Sequence, residues 1–260
     1  MKLTDLKYKT ALVTGGASGM GKVMALRLFQ YGAKVAVLDT NYAQLQQLAT
    51  DYPGISIFNC DVTDTAAITS TVDAIETTLG PITFLLHGAA IMPGGALRDM
   101  SAAHIRKVMH INYFGTVETV HAVLPRMQAR NTGAIVVFGS IVGEVPVIKF
   151  GAYGATKAAT NYFMRVLMDE HRHSGIQFLL VCPPAVNTPL IDQAADKGPG
   201  QLREMKAGLR KMLPPEAVID AIEKALSRGQ KVLYPGEANL MHRAYRLIPA
   251  FVRYIMLKTN

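Results

Sequence analysis

Short apolar runs alternate with longer segments of helical periodicity along most of the chain, and this alternation constrains the fold strongly. Seven runs are rich in Val, Ile and Leu and are mostly apolar on both faces, as is typical of parallel strands covered on both sides. The runs are Thr10–Val13, Lys34–Leu38, Ile55–Cys60, Ile82–His87, Gly133–Phe138, Ile176–Val181 and Lys231–Tyr234. The helical segments are Gly21–Tyr31, Tyr42–Asp51, Asp64–Leu79, Ser101–Arg130, Tyr153–His173 and Pro215–Ser227. The pattern predicts an α/β fold with a doubly wound parallel sheet, flanked by helices on both faces, that binds ligands at the carboxyl ends of its strands.

Length and composition favour one domain that spans residues 1–260. Half of the residues are hydrophobic and 18% are charged, which excludes a disordered chain. Cys60 and Cys182 cannot make a disulfide framework, and no His/Cys spacing suits a metal, so we expect two reduced thiols and no metal site. The N-terminal residues contain no apolar signal core, and no run of 18 apolar residues occurs, so we expect a soluble cytoplasmic protein.

The positive charge is concentrated in the last quarter of the chain. The net charge is +8, and residues 197–260 contain 12 Lys and Arg but only 5 Asp and Glu. A nucleic-acid-binding protein usually combines such a cluster with stacking aromatic residues or a known module, and neither is present. We therefore expect no nucleic-acid partner.

A glycine-rich turn follows the first predicted strand directly. It reads Thr14-Gly15-Gly16-Ala17-Ser18-Gly19-Met20-Gly21 and leads into an amphipathic helix. Glycines at such a turn let the backbone approach a pyrophosphate, which lies at the positive end of the helix. The spacing fits the general dinucleotide fingerprint only loosely, and such glycines also occur in ordinary turns. The position between the first strand and the first helix favours the dinucleotide.

The second strand ends at Asp39, where a carboxylate can accept hydrogen bonds from an adenosine ribose and would repel a 2′-phosphate. A turn aspartate or a helix N-cap is the alternative, because Asp39, Thr40 and Asn41 are all good capping residues. No Lys or Arg stands in the glycine turn before Lys22 or just after Asp39. The sequence therefore predicts NAD rather than NADP.

Ser140, Tyr153 and Lys157 form a candidate catalytic group. Tyr153 and Lys157 are four residues apart, so on a helix they lie on the same face. A tyrosine hydroxyl with a pKa near ~10 is a poor proton donor or acceptor at neutral pH, and we expect the ammonium group of Lys157 to lower this pKa. Ser140 would then hydrogen-bond the substrate oxygen while Tyr153 transfers its proton. A surface Tyr–Lys pair beside an unrelated serine is the alternative.

These motifs stand in the order and at the approximate spacing of the short-chain dehydrogenase/reductase family, which the chain resembles from about Lys9 to Leu190. The resemblance rests on the glycine turn, Asp39, Asp61-Val62, Ile111-Asn112-Tyr113-Phe114-Gly115, Ser140, Tyr153-Gly154-Ala155-Thr156-Lys157 and Pro183-Pro184-Ala185-Val186-Asn187-Thr188. It implies a Rossmann-type domain with a single seven-stranded parallel sheet, and an NAD(P)-dependent oxidoreductase that acts on CH–OH groups.

The resemblance also implies a role for each matching residue. The implied catalytic residues are Asn112, Ser140, Tyr153 and Lys157, with Asn112 holding a water that links Lys157 to solvent. The implied cofactor-binding residues are Gly15, Ser18, Gly19, Met20, Gly21, Asp39, Asp61, Val62, Ala89, Tyr153, Lys157, Pro183, Val186 and Thr188. Among them, Asp61 and Val62 would meet the adenine, Val186 and Thr188 the nicotinamide carboxamide, and Lys157 the nicotinamide ribose.

The chain departs from the family pattern at two places. The family's N-N-A-G after the fourth strand reads His87-Gly88-Ala89-Ala90 here, and Pro184 stands where a glycine is common. We expect His87 to replace a bracing hydrogen bond, with a second acid–base role as the alternative. Neither departure removes a catalytic group, which argues against a non-catalytic relative.

The loops after the fourth, fifth and sixth strands determine specificity in this family, and here the first two are largely apolar. The predicted substrate-contacting residues are Ser140, Tyr153, Met92, Val142 and Val147. We expect a lipophilic secondary alcohol or ketone, such as a steroid, a retinoid-like compound or a long-chain compound. Packing of these apolar residues against a neighbouring subunit is the alternative.

Two basic amphipathic stretches follow. The first lies at the end of residues 186–213, a predicted substrate loop or lid, and places Arg203, Lys206, Arg210 and Lys211 around Leu202, Met205, Leu209 and Met212. The second is the C-terminal segment 238–260. Three interpretations stay open: peripheral contact with an anionic membrane, a lid that attracts an acidic substrate such as an acyl carrier or coenzyme A thioester, and packing on the core or a sister subunit.

The sequence thus predicts an NAD(H)-dependent oxidoreductase of secondary alcohols and ketones. An NADPH-dependent 3-oxoacyl or carbonyl reductase is the nearest alternative. A non-catalytic cofactor-binding scaffold at a membrane surface is the alternative from another class. The resemblance also implies a homotetramer or dimer, with Ser101–Arg130 and Tyr153–His173 as interface helices.

Overall fold

The computed structural model describes residues 1–194, 197–208 and 211–258 and contains a seven-stranded parallel sheet with strand order β3-β2-β1-β4-β5-β6-β7. The strands are β1 (Thr10–Thr14), β2 (Lys34–Asp39), β3 (Ser56–Asn59), β4 (Ile82–His87), β5 (Gly133–Phe138), β6 (Ile176–Val181) and β7 (Val232–Leu233). The predicted doubly wound α/β fold is confirmed. The last strand is shorter than the predicted Lys231–Tyr234.

Helices cover both faces of this sheet. They are α1 (Gly19–Gln30), α2 (Tyr42–Asp51), α3 (Thr65–Leu79), α4 (Ala102–Met109), α5 (Gly115–Arg130), α6 (Gly151–Glu170), α7 (Gly200–Lys206), α8 (Pro215–Ser227), α9 (Ala238–Leu247) and α10 (Pro249–Lys258). One core layer contains buried residues of α1, α2 and α8, and the opposite layer contains those of α3, α5 and α6. This burial on both faces explains why the strands are apolar on both sides.

The predicted single helix Ser101–Arg130 is two α-helices joined by a π-helical turn, His110–Phe114. The turn places Asn112 so that its side-chain amide bonds the backbone of Ile91 in both directions, with Ile91 N to Oδ1 at 2.8 Å and Nδ2 to Ile91 O at 2.9 Å. Because Ile91 belongs to the distant loop after β4, periodicity within residues 101–130 carries no sign of this turn.

The C-terminal helices α9 and α10 pack against the loop that follows β5. Buried Ile141, Val145 and Ala238 form the centre of this contact. No helix in the described ranges is long and apolar enough to cross a membrane. Of the basic stretch predicted before α8, Leu209 and Arg210 lie outside the described residues, as do the side chains of Arg203 and Lys206.

Candidate active site

The glycine turn after β1 brings the backbone of two strand ends into contact. Gly15 has φ +63°, and a Cβ atom there would lie 2.7 Å from the backbone nitrogen of Ala89, which follows β4. Since the strand order reverses between β1 and β4, this is the point where doubly wound sheets bind ligands. The turn at Gly15 therefore tolerates no side chain, and its residues line an open cleft at the start of α1.

A cleft of about 560 Å³ lies over these strand ends. The predicted cofactor-binding residues that line it are Gly15, Ser18, Gly19, Met20, Gly21, Asp39, Asp61, Val62, Ala89 and Thr188. Sequence analysis missed Lys107 of α4, the only Lys or Arg among the described residues that line this cleft. The cleft thus brings together residues from the carboxyl ends of five strands, β1, β2, β3, β4 and β6.

Asp39 lies at the end of β2 with its carboxylate held in place by two backbone amides. Ala17 N donates to Oδ2 at 3.2 Å, and Asn41 N donates to Oδ1 at 3.0 Å. The N-cap of α2 is Asn41, whose side chain accepts a hydrogen bond from Gln44 N. Asp39 is therefore not the helix cap, and its carboxylate faces the cleft from the end of a strand.

A smaller cavity of about 110 Å³ adjoins this cleft and contains the candidate catalytic group. Ser140, Tyr153 and Lys157 all line it, and all three are buried. Ser140 follows β5, while Tyr153 and Lys157 lie on one face of α6. Predicted Pro183 and Val186 line the same cavity, and Met20 and Thr188 line both the cavity and the cleft. A molecule that fills the cleft can therefore reach the three catalytic candidates.

The pKa values at this site differ from the sequence-based expectation. Burial raises the pKa of Tyr153 to about 12, and a hydrogen bond with Ser140 opposes that shift. Lys157 is also buried, which lowers its pKa to about 8. Its Nζ donates to Phe138 O at 2.7 Å and lies 5.8 Å from the Tyr153 ring centroid. In the protein alone, desolvation of the phenolate therefore outweighs the lowering of the Tyr153 pKa that was expected from Lys157.

Asn112 is fully buried next to this group, but its side chain is occupied by structural bonds. Besides the two bonds to Ile91, Nδ2 donates to Thr156 Oγ1 at 3.0 Å, and Thr156 stands directly before Lys157. Its backbone oxygen accepts a hydrogen bond from Thr116 Oγ1 at 2.7 Å. Asn112 thereby ties the loop after β4 to the catalytic helix.

His87 makes a bracing hydrogen bond at the end of β4. Its Nδ1 lies 2.9 Å from Thr14 Oγ1, which also accepts bonds from the amides of Gly88 and Ala89. The ring tautomer determines whether the Thr14 hydroxyl or Nδ1 is the donor in this bond. Within the described residues Nε2 has no partner, and burial lowers the pKa of His87 to about 3. A neutral imidazole with so low a pKa is a poor proton donor or acceptor at neutral pH, which argues against a second acid–base role.

Sequence analysis missed a polar row on α6 that continues from the catalytic pair. Tyr153, Lys157, Asn161 and Arg165 recur every four residues, so they share one side of the helix. Asn161 Nδ2 donates to Ser140 O at 3.1 Å and to Glu144 Oε1 at 3.2 Å. Arg165 donates to the same Glu144 oxygen at 2.5 Å. The spacing of four along α6 was the available signal, but their partners after β5 are visible only in the fold.

The remaining substrate candidates lie on the apolar side of the small cavity. Met92 and Val142 line it, whereas Val147 packs against the same hydrophobic cluster from behind and lines a separate surface depression. Ile191 and Leu202 also line the cavity and were not predicted individually. Leu202 belongs to α7, within the predicted substrate loop 186–213. This places part of that loop over the catalytic group.

Comparison with known proteins agrees with this geometry. The sequence model described as "short chain dehydrogenase" matches residues 9–198. The chain is 31% identical over 231 residues to 2-(S)-hydroxypropyl-CoM dehydrogenase 3 of Xanthobacter autotrophicus, covering 85% of this chain and 91% of the relative. It is 28% identical to the 2,3-dihydro-2,3-dihydroxybenzoate dehydrogenase of Bacillus subtilis, covering 85% and 90%.

A solved structure shows the same fold. A short-chain dehydrogenase from Streptomyces avermitilis superposes with a TM-score of 0.78 at 26% identity, and the match covers 96% of each chain. The chain belongs to the short-chain dehydrogenase/reductase family. It is an oxidoreductase acting on hydroxyl or ketone groups, and its cofactor is a nicotinamide dinucleotide.

The residues present fit such a cofactor. The contact between Gly15 and Ala89 leaves no room for a side chain, as a backbone cradle for a pyrophosphate requires. The cleft residues would hold the dinucleotide, and Lys157, Pro183, Val186 and Thr188 would hold its nicotinamide end. The bound cofactor supplies the hydride chemistry, while the protein supplies binding, orientation and proton transfer.

Proposed function

We propose that this protein is an NAD(H)-dependent oxidoreductase that interconverts a lipophilic secondary alcohol and its ketone. One observation carries the proposal: Ser140 and Tyr153 lie in a small, largely apolar cavity that opens into the cleft containing Asp39. The two polar groups can hold a substrate oxygen, and the apolar lining can enclose the carbon skeleton.

The chain's own residues would handle the proton and the orientation. The hydroxyl of Ser140 polarises and fixes the substrate oxygen, and Tyr153 accepts or donates its proton. Lys157 provides a buried cation next to the tyrosine and holds the ribose. Asn112 supports the path of the proton to solvent and, through its bonds to Ile91 and Thr156, keeps α6 in register with the loop after β4.

The preference for NAD is supported by Asp39. Two amides hold its carboxylate at the cleft, where a ribose 2′-hydroxyl can donate to it and a 2′-phosphate would meet like charge. Lys107 is the observation that favours the alternative, an NADPH-dependent 3-oxoacyl or carbonyl reductase. Since Lys107 is exposed on α4 while Asp39 stands at the strand end, the proposal gives more weight to Asp39.

The lipophilic substrate class is supported by the cavity lining. Met92, Phe150, Ile191 and Leu202 supply apolar walls, and Lys157 is the only charged residue among those described there. A small carboxylate substrate would need a cation besides Lys157, and the described walls offer none. The name of the Xanthobacter relative specifies a 2-hydroxypropyl group, which is a secondary alcohol.

The assembly and location are part of the same proposal. We propose a homotetramer or dimer through α5 and α6, whose exposed faces include Tyr162, with a relative exposure of 72%. We propose a cytoplasmic protein that associates peripherally with a membrane through residues 238–260. A cofactor-binding scaffold without activity is disfavoured because Asn112, Ser140, Tyr153 and Lys157 are all present.

The proposal is tested by following NAD⁺ reduction over a panel of secondary alcohols, from short polar compounds to sterols and long-chain hydroxyacyl thioesters. NADP⁺ and the Tyr153→Phe variant are the controls. Turnover of lipophilic alcohols with NAD⁺ that is lost in the variant is the expected result. Activity with NADP⁺ alone would favour the reductase, and tight NADH binding without turnover of any alcohol would favour the scaffold.

A further inference from the structure

The C-terminal helices expose an apolar face on the outside of the protein. On α9, Met241, His242 and Tyr245 point inward to the protein, while Leu240 and Leu247 are 73% and 81% exposed. On α10, no residue is buried, and Phe251 is 57% exposed. Large apolar side chains that are exposed on two adjacent helices form an apolar patch of the kind that marks an interaction surface.

Only cations are interspersed with these apolar groups. The exposed basic residues of the helices are Arg243, Arg246, Arg253 and Lys258. Residues 238–258 contain no Asp or Glu, and within the described part of the chain no ion pair involves the three arginines. The patch therefore combines apolar contact with an unbalanced positive charge.

This charge pattern determines the kind of partner. In a two-fold symmetric dimer the same patch would face itself, so the arginines of one copy would meet those of the other. A bilayer rich in anionic lipids offers apolar depth and negative charge together. We propose that the outer face of α9 and α10 docks on an anionic lipid bilayer. This inference rests on the peripheral association proposed above and specifies the lipid partner.

The position of this face links the bilayer to the active site. The inner side of α9 packs on Ile141 and Val145, and Val142 contacts this packing layer as well as lining the substrate cavity. His242 Nδ1 also lies 3.9 Å from Glu144 Oε2, in the loop after Ser140. A docked bilayer would thus lie one helix away from the wall of the catalytic cavity.

A flotation experiment tests the docking with the full-length protein and vesicles of phosphatidylcholine, with or without phosphatidylserine. We expect binding only to vesicles that contain phosphatidylserine, with weakening by salt. The triple variant Arg243→Gln, Arg246→Gln, Arg253→Gln should bind about 100-fold more weakly, since each cation near an anionic surface contributes about 1 kcal/mol. The matched control Arg98→Gln, Arg106→Gln, Arg228→Gln loses the same charge elsewhere and should bind like the wild type.

Insertion into the bilayer is measured separately by tryptophan fluorescence. Because the chain contains no tryptophan, a single introduced tryptophan reports its own position. We expect Leu247→Trp to show a blue-shifted emission with phosphatidylserine vesicles, and Tyr8→Trp, at an exposed position before β1, to show none. Equal loss of binding in both triple variants would overturn the proposal. The proposal would also be overturned if the wild type bound no vesicles and the double variant Leu247→Gln, Phe251→Gln had a smaller particle mass than the wild type by light scattering. That result would assign the face to a second copy of the chain.

Oxidation of a water-soluble secondary alcohol by the same variants separates this proposal from the enzymatic one. The variants change no residue of the cleft or cavity, so turnover should persist when lipid binding is lost. Loss of lipid binding with intact turnover supports the docking face. Vesicle binding without turnover of any alcohol would contradict the proposed enzyme function alone.

Discussion

Asn161 donates a hydrogen bond from its side-chain amide to the backbone oxygen of Ser140, with a distance of 3.1 Å. Asn161 is one helical turn beyond Lys157, so the helix that carries the catalytic pair also fixes the backbone of the catalytic serine. The bond is buried, and a buried bond of this kind has few alternative geometries.

We expect Asn161→Asp to lower kcat by about ten- to a hundredfold with little change in KM, because a carboxylate cannot donate to Ser140 O and small displacements of a catalytic group cost about that much. The measurement is steady-state kinetics together with NADH affinity. Glu144→Gln, which leaves the bond between Asn161 and Ser140 in place, should change kcat much less. An equal effect of both substitutions, or an effect on NADH binding alone, would contradict a positioning role.

Tyr153→Phe should reduce turnover by at least about a hundredfold, since it removes the group that exchanges a proton with the substrate oxygen. NADH affinity, measured by fluorescence titration, should stay close to that of the wild type. Tyr8→Phe changes an exposed tyrosine that lines neither the cleft nor the cavity and should be neutral. Turnover retained in Tyr153→Phe would assign the proton transfer to another group.

Asp39→Asn should weaken NADH binding by about tenfold and narrow the preference for NAD over NADP, since a bond to a charged acceptor contributes about 1.5–3 kcal/mol. The Asp51→Asn substitution, at the end of α2, removes a carboxylate outside the cleft and is the control. Dissociation constants for both cofactors measure the effect. An unchanged preference would remove the argument for NAD.

Gly15→Ala should abolish tight cofactor binding and lower the free energy of unfolding by about 1–3 kcal/mol, because a side chain would combine positive φ with a contact against the backbone of Ala89. Gly200→Ala is the matched control, since a Cβ there meets nothing within 4 Å. Thermal unfolding with and without NADH measures both effects. Cofactor-induced stabilisation of the Gly15→Ala variant would place the dinucleotide elsewhere.

His87 predicts an acid sensitivity. Burial lowers its pKa from 6.5 to about 3, so between these values the unfolded chain binds a proton that the folded protein does not. Stability should therefore fall as the pH drops from 6.5 towards 3, by up to roughly 4 kcal/mol from this residue. Urea unfolding of His87→Asn, in which an amide replaces the imidazole beside Thr14, should show a shallower slope over this window. An unchanged slope would show that His87 takes up its proton in the folded state.

Local patterns were sufficient to predict the fold class and most of the strands and helices. The strands needed only their apolar runs, because burial on both faces leaves a continuous Val, Ile and Leu signal. The break at His110–Phe114 could not be predicted, since the bonds that hold it come from Ile91. Hydrophobic periodicity indicates which side of a helix faces the core, but it contains no information about contacts between the helix backbone and a distant loop.

The site was predictable where a motif has fixed spacing and unpredictable where it depends on burial. Tyr153 and Lys157 are fixed by helical spacing, whereas the raised pKa of Tyr153 comes from desolvation, which no sequence pattern measures. Val147 looked equivalent to Val142, but only Val142 reaches the cavity. Asn161 and Glu144 meet because the loop after β5 folds over α6.

Val142 belongs to the wall of the substrate cavity and also touches the layer on which α9 packs. Substrate specificity and the packing of the C-terminal helices are therefore coupled in this protein. A chimera that takes its C-terminal helices from a relative has to bring residues 141–145 with them. Conversely, a library that varies residues 141–145 to change substrate specificity will also change how tightly α9 and α10 pack on this loop.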